Sequence, residues 1–372
     1  MDLDINTTSY DTLSERIEAL HQHVLGLAPG IDRMAVALYD PADDLLKTFI
    51  NSTPDGRTLT SHEYRLSDSQ SLSALSRDRG LRVITDIQRH LRPDTPHSAY
   101  VLDQGYACSL TVPLYNQGDF LGFLFFDSRS EGTFTPEVQR ELVVYSQVVA
   151  MSIASELMAV RTIIGTVQIA RQLTALRDME TGAHLERMAR YSRIVAKALV
   201  EPRGLSDEFV EHVFLYAPLH DIGKIGIPDR ILLKPGPLDP EEWEVMKTHT
   251  TKGREMVDHI TADMAIDNLP DDTVMRNIVE LHHEALDGSG YPHGLRGEQI
   301  PLESRIVAVA DVFDALTSVR PYKRAWTVPE AFAELESMSR GHKLDGQCVA
   351  ALIEHGDEVE QVRVGHPEES AG

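Results

Sequence analysis

The sequence predicts a multidomain chain: an N-terminal α+β domain with an antiparallel sheet flanked by helices, a long connecting helix, and a C-terminal all-α domain. Three observations carry this. Short β-rich runs crowd the first 155 residues and then cease. An apolar stripe at helical spacing runs from Val138 to Val167 with no turn signal inside it. From about residue 170 onward, helical periods alternate with Pro- and Gly-rich breaks.

The strands are expected at "MAVALYD" (34–40), "LKTFINS" (46–52), "SLTVPLY" (109–115) and "FLGFLFFDS" (120–128), all short, rich in β-branched or aromatic residues, and bounded by turn formers. "NQGD" (116–119) between the last two reads as a hairpin turn. Helices are expected at about 14–28, 69–79 and 135–160.

The connecting stripe comprises Val138, Leu142, Tyr145, Val149, Ile153, Leu157, Val160, Ile164 and Val167. Its spacing is heptad-like with one stutter, which predicts a homodimer through parallel pairing; the alternative is that the stripe packs on the chain's own domains. Gly165 should weaken the helix by about 1 kcal/mol and marks a candidate hinge. In the helical half, Asp239, Pro240 and Glu242 form a capping-box start. The tail, 356–372, is expected to fray.

A formal charge of -23 over 372 residues disfavours DNA or RNA as a partner, because such binding needs a basic face. Two distant cysteines, Cys108 and Cys348, fit a reducing compartment. The N-terminus lacks a signal-peptide pattern, and apolar stretches such as 142–150 are interrupted short of a bilayer span. A cytoplasmic protein without membrane contact is the expectation.

Five segments of the helical half offer metal ligands. Glu180 and His184 are four apart on one helix face; His220 and Asp221 are adjacent, followed by Lys224; His249 is expected near the middle of a helix; His282 and His283 end a helix; Asp311 interrupts an apolar helical run. A carboxylate flanked by Val and Phe is costly to bury unless paired or coordinated. Mixed imidazole and carboxylate donors suit Fe, Mn or Zn, and five histidines with three carboxylates exceed the needs of one ion. A two-metal centre suited to phosphoryl transfer follows. No organic cofactor is expected.

Residues 170–355 resemble an HD-GYP phosphodiesterase domain, a branch of the HD metal-dependent phosphohydrolases, on "HDIGKIGIP" (220–228), "HHEALDGSGYP" (282–292) and "DVFDALTSVRPYK" (311–323). Simpler HD hydrolases would use His184, His220, Asp221 and Asp311; the branch adds His249, His282 and His283. The resemblance implies cyclic di-GMP as substrate, hydrolysed to pGpG or GMP by water activated between two metals, with Glu180 adding a third, Fe or Mn foremost. It implies Asp221 as the bridging ligand and Lys224 as the group that neutralises developing phosphate charge. Arg320 and Lys323 would clamp phosphate, Asp178 would accept from guanine, and Tyr291 would stack on a base or plug its loop. That loop is also implicated in contacts with GGDEF-domain proteins. The competing readings are a cyclic-dinucleotide receptor acting through loop contacts, and hydrolysis of another cyclic dinucleotide such as cGAMP.

The stretch 105–155, with its Val-Pro-Leu strand end, Gly-turned hairpin and Phe-Thr-Pro before a long helix, resembles a GAF domain. The resemblance covers most of 14–155 and implies a sensor module with an unidentified small ligand. Cys108 is either a chromophore or haem attachment point or a small core residue.

Overall fold

The structure is a computed structural model that describes residues 12–53, 59–60, 62–93, 96–173, 182–263, 272–318 and 324–367. The chain divides into two compact units, one reaching Met158 and including Ser206–Glu208, the other comprising the remainder from Ala159.

The first unit is an antiparallel sheet with helices on its faces. Its strands are β1 (Arg33–Asp40), β2 (Leu45–Ser52), β3 (Glu63–Arg65), β4 (Arg82–Ile84), β5 (Cys108–Asn116) and β6 (Asp119–Ser128), in the order β3-β2-β1-β6-β5-β4. The β5–β6 hairpin turns at Gln117 and Gly118, both at positive φ, as the sequence predicts. Alternation along β6 sorts its side chains: Leu124 and Phe126 enter one core, Phe123 and Phe125 another. The first core is completed by Leu13, Ile17 and Val24 of α1 (Leu13–Leu27) and by Leu142, Val149 and Ile153 of α3 (Pro136–Leu173). The second is closed by Leu72 and Leu75 of α2 (Gln70–Asp78). Cys108 is a buried core residue of β5, and its burial raises the thiol pKa.

Helix α3 corrects the expected dimer seam. Leu142, Val149 and Ile153 of the predicted dimer stripe are buried in the first unit's own core, with Val138, Tyr145 and Leu157 packed against it. Val160 belongs to the second unit's core. The exposed apolar residues are instead Val144, Val148, Met151 and Met158. By length and composition alone Pro136–Val160 is long and apolar enough to cross a membrane, while Leu142, Val149 and Ile153 within it are buried in the protein's own core. Ser and Gln within the run reduce its mean hydropathy but add no charge.

The second unit is helical: α4 (Gly182–Ala198), α5 (Asp207–Tyr216), α6 (Pro240–Lys247), α7 (His249–Asp263), α8 (Asp272–Leu281), α9 (Leu302–Thr317), α10 (Val328–Arg340), α11 (Gly346–Glu354) and α12 (Gly356–Gly365), with shorter turns between. The Asp239–Glu242 capping box starts α6 as read. Met188, Tyr191, Val213, Ile278, Val307, Phe313 and Leu352 share one core. The tail does not fray at 356: α12 forms there because Val359 is fully buried and acidic residues occupy its first turn. In "KLDGQ", Asp345 caps α11 and pairs with Arg305 at 2.6 Å.

Candidate metal centre

The segment 217–226 leaves regular helix at the chemistry-bearing residues: short 3-10 turns flank His220 and Asp221. Gly223 explains the fit. A Cβ there would lie 1.8 Å from His249 O and 2.4 Å from Gly253 N, so only glycine lets this turn lie on the start of α7. His249 is therefore the first residue of α7 and not, as expected, near a helix middle.

The histidines share one mode of support. Nδ1–H of His220 donates to Ala217 O (2.8 Å), that of His249 to Met246 O (2.9 Å), and that of His282 to Ile278 O (2.9 Å). A carbonyl only accepts, so in each neutral ring Nε2 keeps its lone pair and faces the centre. Asp221, 5% exposed, sits among them: Oδ1 is 3.1 Å from His249 Nε2 and 3.8 Å from His282 Nε2, and Oδ2 is 3.2 Å from His220 Nε2. Asp221 Oδ1, His249 Nε2 and His282 Nε2 are buried and make no hydrogen bond. Lone pairs facing each other in a dry site are the arrangement a divalent cation requires, and the donor set fits one. Asp221, His249, His282 and His283 each offer a ligand atom within 4.8 Å of the others.

The electrostatics agree. Burial holds His282 well below its ordinary pKa and His283 down to about 3, with neighbouring imidazoles adding to the effect. Both rings are thus neutral, the ligating form. Burial opposes the charge of Asp221, but the Lys224 ammonium keeps its carboxyl well below the usual range. Lys224 Nζ lies 2.7 Å from Asp221 Oδ2.

His184 joins this centre through ring contact with His220 at 5.7 Å between centroids. Its Nδ1 meets Asp314 Oδ2 at 2.7 Å, and Asp314 also accepts from Arg187 Nε (2.5 Å) and Nη2 (2.9 Å). Burial alone would raise the Asp314 carboxyl, yet Arg187 and His184 hold it down to about 2. Asp311 lies one turn earlier on α9, half-buried, and its charge reaches the Tyr291 phenol, whose pKa burial first and then Asp221 and Asp311 push up.

The loop after His283 is folded by Glu284, a buried carboxylate that accepts from the backbone N–H of His293 (2.7 Å), Gly294 (3.1 Å) and Leu295 (2.9 Å). Gly290 is needed because a Cβ would lie 2.3 Å from Ala285 N. The Tyr291 ring then stands 4.8 Å from the His283 ring and 6.2 Å from Trp243.

The structure thus brings together His184, His220, Asp221, Lys224, His249, His282, His283 and Tyr291, with Asp311 at their edge. Asp178, Glu180, Arg320 and Lys323 lie outside the described residues. Asp314, Arg187 and Glu284 were missed by the sequence reading. Two of them carried a signal, since Arg187 follows His184 and Asp314 follows Asp311 by three, on the same helix face.

Residues 171–348 match the HD domain family. Over 186 residues the chain is 50% identical to the cyclic di-GMP phosphodiesterase response regulator RpfG of Xanthomonas campestris, covering 50% of this chain and 46% of that protein. It is 46% identical to a cyclic di-GMP phosphodiesterase of Thermotoga maritima, over 52% of this chain and 50% of the relative. It is 39% identical to the 3'3'-cGAMP-specific phosphodiesterase 2 of Vibrio cholerae, over 52% of this chain and 34% of the relative. The chain therefore spans about half or less of the length of these curated relatives. Among solved structures, a GAF domain/HD domain protein from Geobacter sulfurreducens is 17% identical over 39% of this chain and 94% of that one, with a TM-score of 0.33. Over residues 171–348 the chain is thus similar to HD domains, and its paired histidines followed by Gly-Tyr-Pro lie within that stretch.

Proposed function

We propose that the second unit hydrolyses the phosphodiester bonds of cyclic di-GMP, giving pGpG, GMP or both. The observation that carries this reading is the buried facing of Asp221 Oδ1 and His249 Nε2 at 3.1 Å without a hydrogen bond, which a cation resolves. The relatives named for cyclic di-GMP support the substrate.

Bound divalent cations supply Lewis acidity and lower the pKa of the attacking water. His184, His220, Asp221, His249, His282, His283 and Asp311 would hold two ions, iron or manganese, with Glu180 serving a third. Asp221 presents both oxygens to different imidazoles, which suits a bridging ligand. Lys224, now neutralised by Asp221, is placed to turn toward the phosphate once cations offset that carboxylate. Arg320 and Lys323 would clamp phosphate, Asp178 would meet guanine, and Tyr291 would border the substrate beside His283.

The remaining parts follow from the same reading. The first unit acts as the regulatory module, in a cytoplasmic protein, and the Gly-Tyr-Pro loop offers a surface to a GGDEF-domain protein. A homodimer through α3 would use Val144, Val148, Met151 and Met158, the apolar residues its own core leaves exposed. A second substrate reading, 3'3'-cGAMP, is favoured by the Vibrio relative named for it.

The test is turnover by anaerobically purified chain loaded with Fe(II) or Mn(II), with both cyclic dinucleotides and the products followed by chromatography. Product with two or three metals per chain supports the reading. Tight binding without turnover under every metal transfers it to a receptor.

A further inference from the structure

The first unit holds a partly open cavity of about 210 Å³, remote in sequence from every proposed metal ligand. That is room for a small metabolite. Its apolar wall includes Ala35, Ile50, Leu72 and Phe125. Two arginines also line it, and their partners differ.

Arg33 is 2% exposed and donates from Nη1 to Asp127 Oδ2 at 2.5 Å, so these charges cancel. Arg82 meets no carboxylate among the described residues. It donates from Nη1 to Ser71 Oγ (2.8 Å) and from Nη2 to Thr111 Oγ1 (3.1 Å), both neutral hydroxyls. The other acid on the wall, Asp68, is exposed, where water screens it. The wall thus sets two guanidiniums against one buried carboxylate, Asp127, whose charge also reaches Arg82, and one positive charge is in excess. Three buried donors on lining residues, Arg33 Nε, Arg82 Nε and Asn51 Nδ2, make no hydrogen bond. A surplus of donors with one surplus positive charge calls for an acceptor carrying one negative charge. A phosphate monoester carries nearly two; a carboxylate carries one and matches the guanidinium fork.

We infer that this cavity binds a small organic monocarboxylate, with the carboxylate on Arg82 and an apolar body against Ala35, Ile50 and Phe125. This site is independent of the hydrolytic reading and identifies the chemical class the first unit senses.

The test is isothermal titration of the full chain with a series of monocarboxylates from isobutyrate to 3-phenylpropanoate, each beside its neutral amide. At least one carboxylate is expected to bind with one site per chain, about tenfold or more tighter than its amide. Arg82→Gln should remove that preference while leaving amide binding and the melting temperature unchanged, and Arg82→Lys should restore part of it. Ala35→Phe, which fills the cavity, should abolish both. If no carboxylate outbinds its amide, or if Arg82→Gln leaves the preference intact, the inference is overturned.

Discussion

Asp314 accepts hydrogen bonds from His184 and from two nitrogens of Arg187 while 1% exposed. Replacing it by Ala would remove the buried carboxylate that Arg187 and His184 both bond. A loss of about 3–5 kcal/mol is expected, measured by denaturant unfolding, together with reduced metal content after dialysis. Asp221→Asn should instead keep the fold and abolish turnover, since it removes the charge shared among three imidazoles; retained hydrolysis would exclude the bridging role. At this scale the ligand types were legible, because His220–Asp221 and His282–His283 stand in recognisable runs. Their supports were not. The Nδ1 partners are backbone carbonyls, and Asp314 in "DVFDAL" looks like any polar residue of an amphipathic helix until Arg187 is brought to it across 127 positions.

Among elements, α1 and β2 are joined by His21, which is fully buried and bonds Ser52 Oγ (2.7 Å) and Ile31 O (3.1 Å). Burial lowers its pKa below the ordinary 6.5. The unfolded chain then binds a proton that the folded one refuses, so the stabilising share of neutral His21 is present above about pH 6.5 and declines below it. Melts between pH 7.5 and pH 5.5 should show a smaller decline for His21→Gln than for the parent. Helix α3 gives a second contrast. Ile153→Ala should destabilise by about 2–5 kcal/mol, since that residue is fully buried, whereas Met151→Ser, 70% exposed in the parent, should leave the melt unchanged and dissociate the proposed dimer in sedimentation. The periodicity of α3 was visible in sequence, but spacing alone does not say what covers a stripe. The residues from Val138 to Val160 read as the dimer seam serve the chain's own cores.

Across the whole molecule, each unit has its own core, and the proposed ligands Asp221, His249, His282 and His283 lie in the second. Chelation should therefore lower the unfolding transition of the helical unit and leave that of the sheet unit in place; at a free metal level of about 100 Kd the difference is ~2.7 kcal/mol. Scanning calorimetry with and without chelator reads both. The division into α+β and all-α halves was legible because period-2 and period-3.6 patterns separate cleanly along the chain. The helical end of the chain was misread because α12 depends on burying Val359, a tertiary fact. The carbonyls that hold the imidazoles carry one more consequence. Met246 and Ile278 lie in the last turns of α6 and α8, so by donating to their carbonyls His249 and His282 act as side-chain caps as well as candidate ligands. Removing either imidazole loosens a helix end even in metal-free protein, so the metal's own contribution must be measured with the caps in place, by withdrawing the ion rather than the side chain.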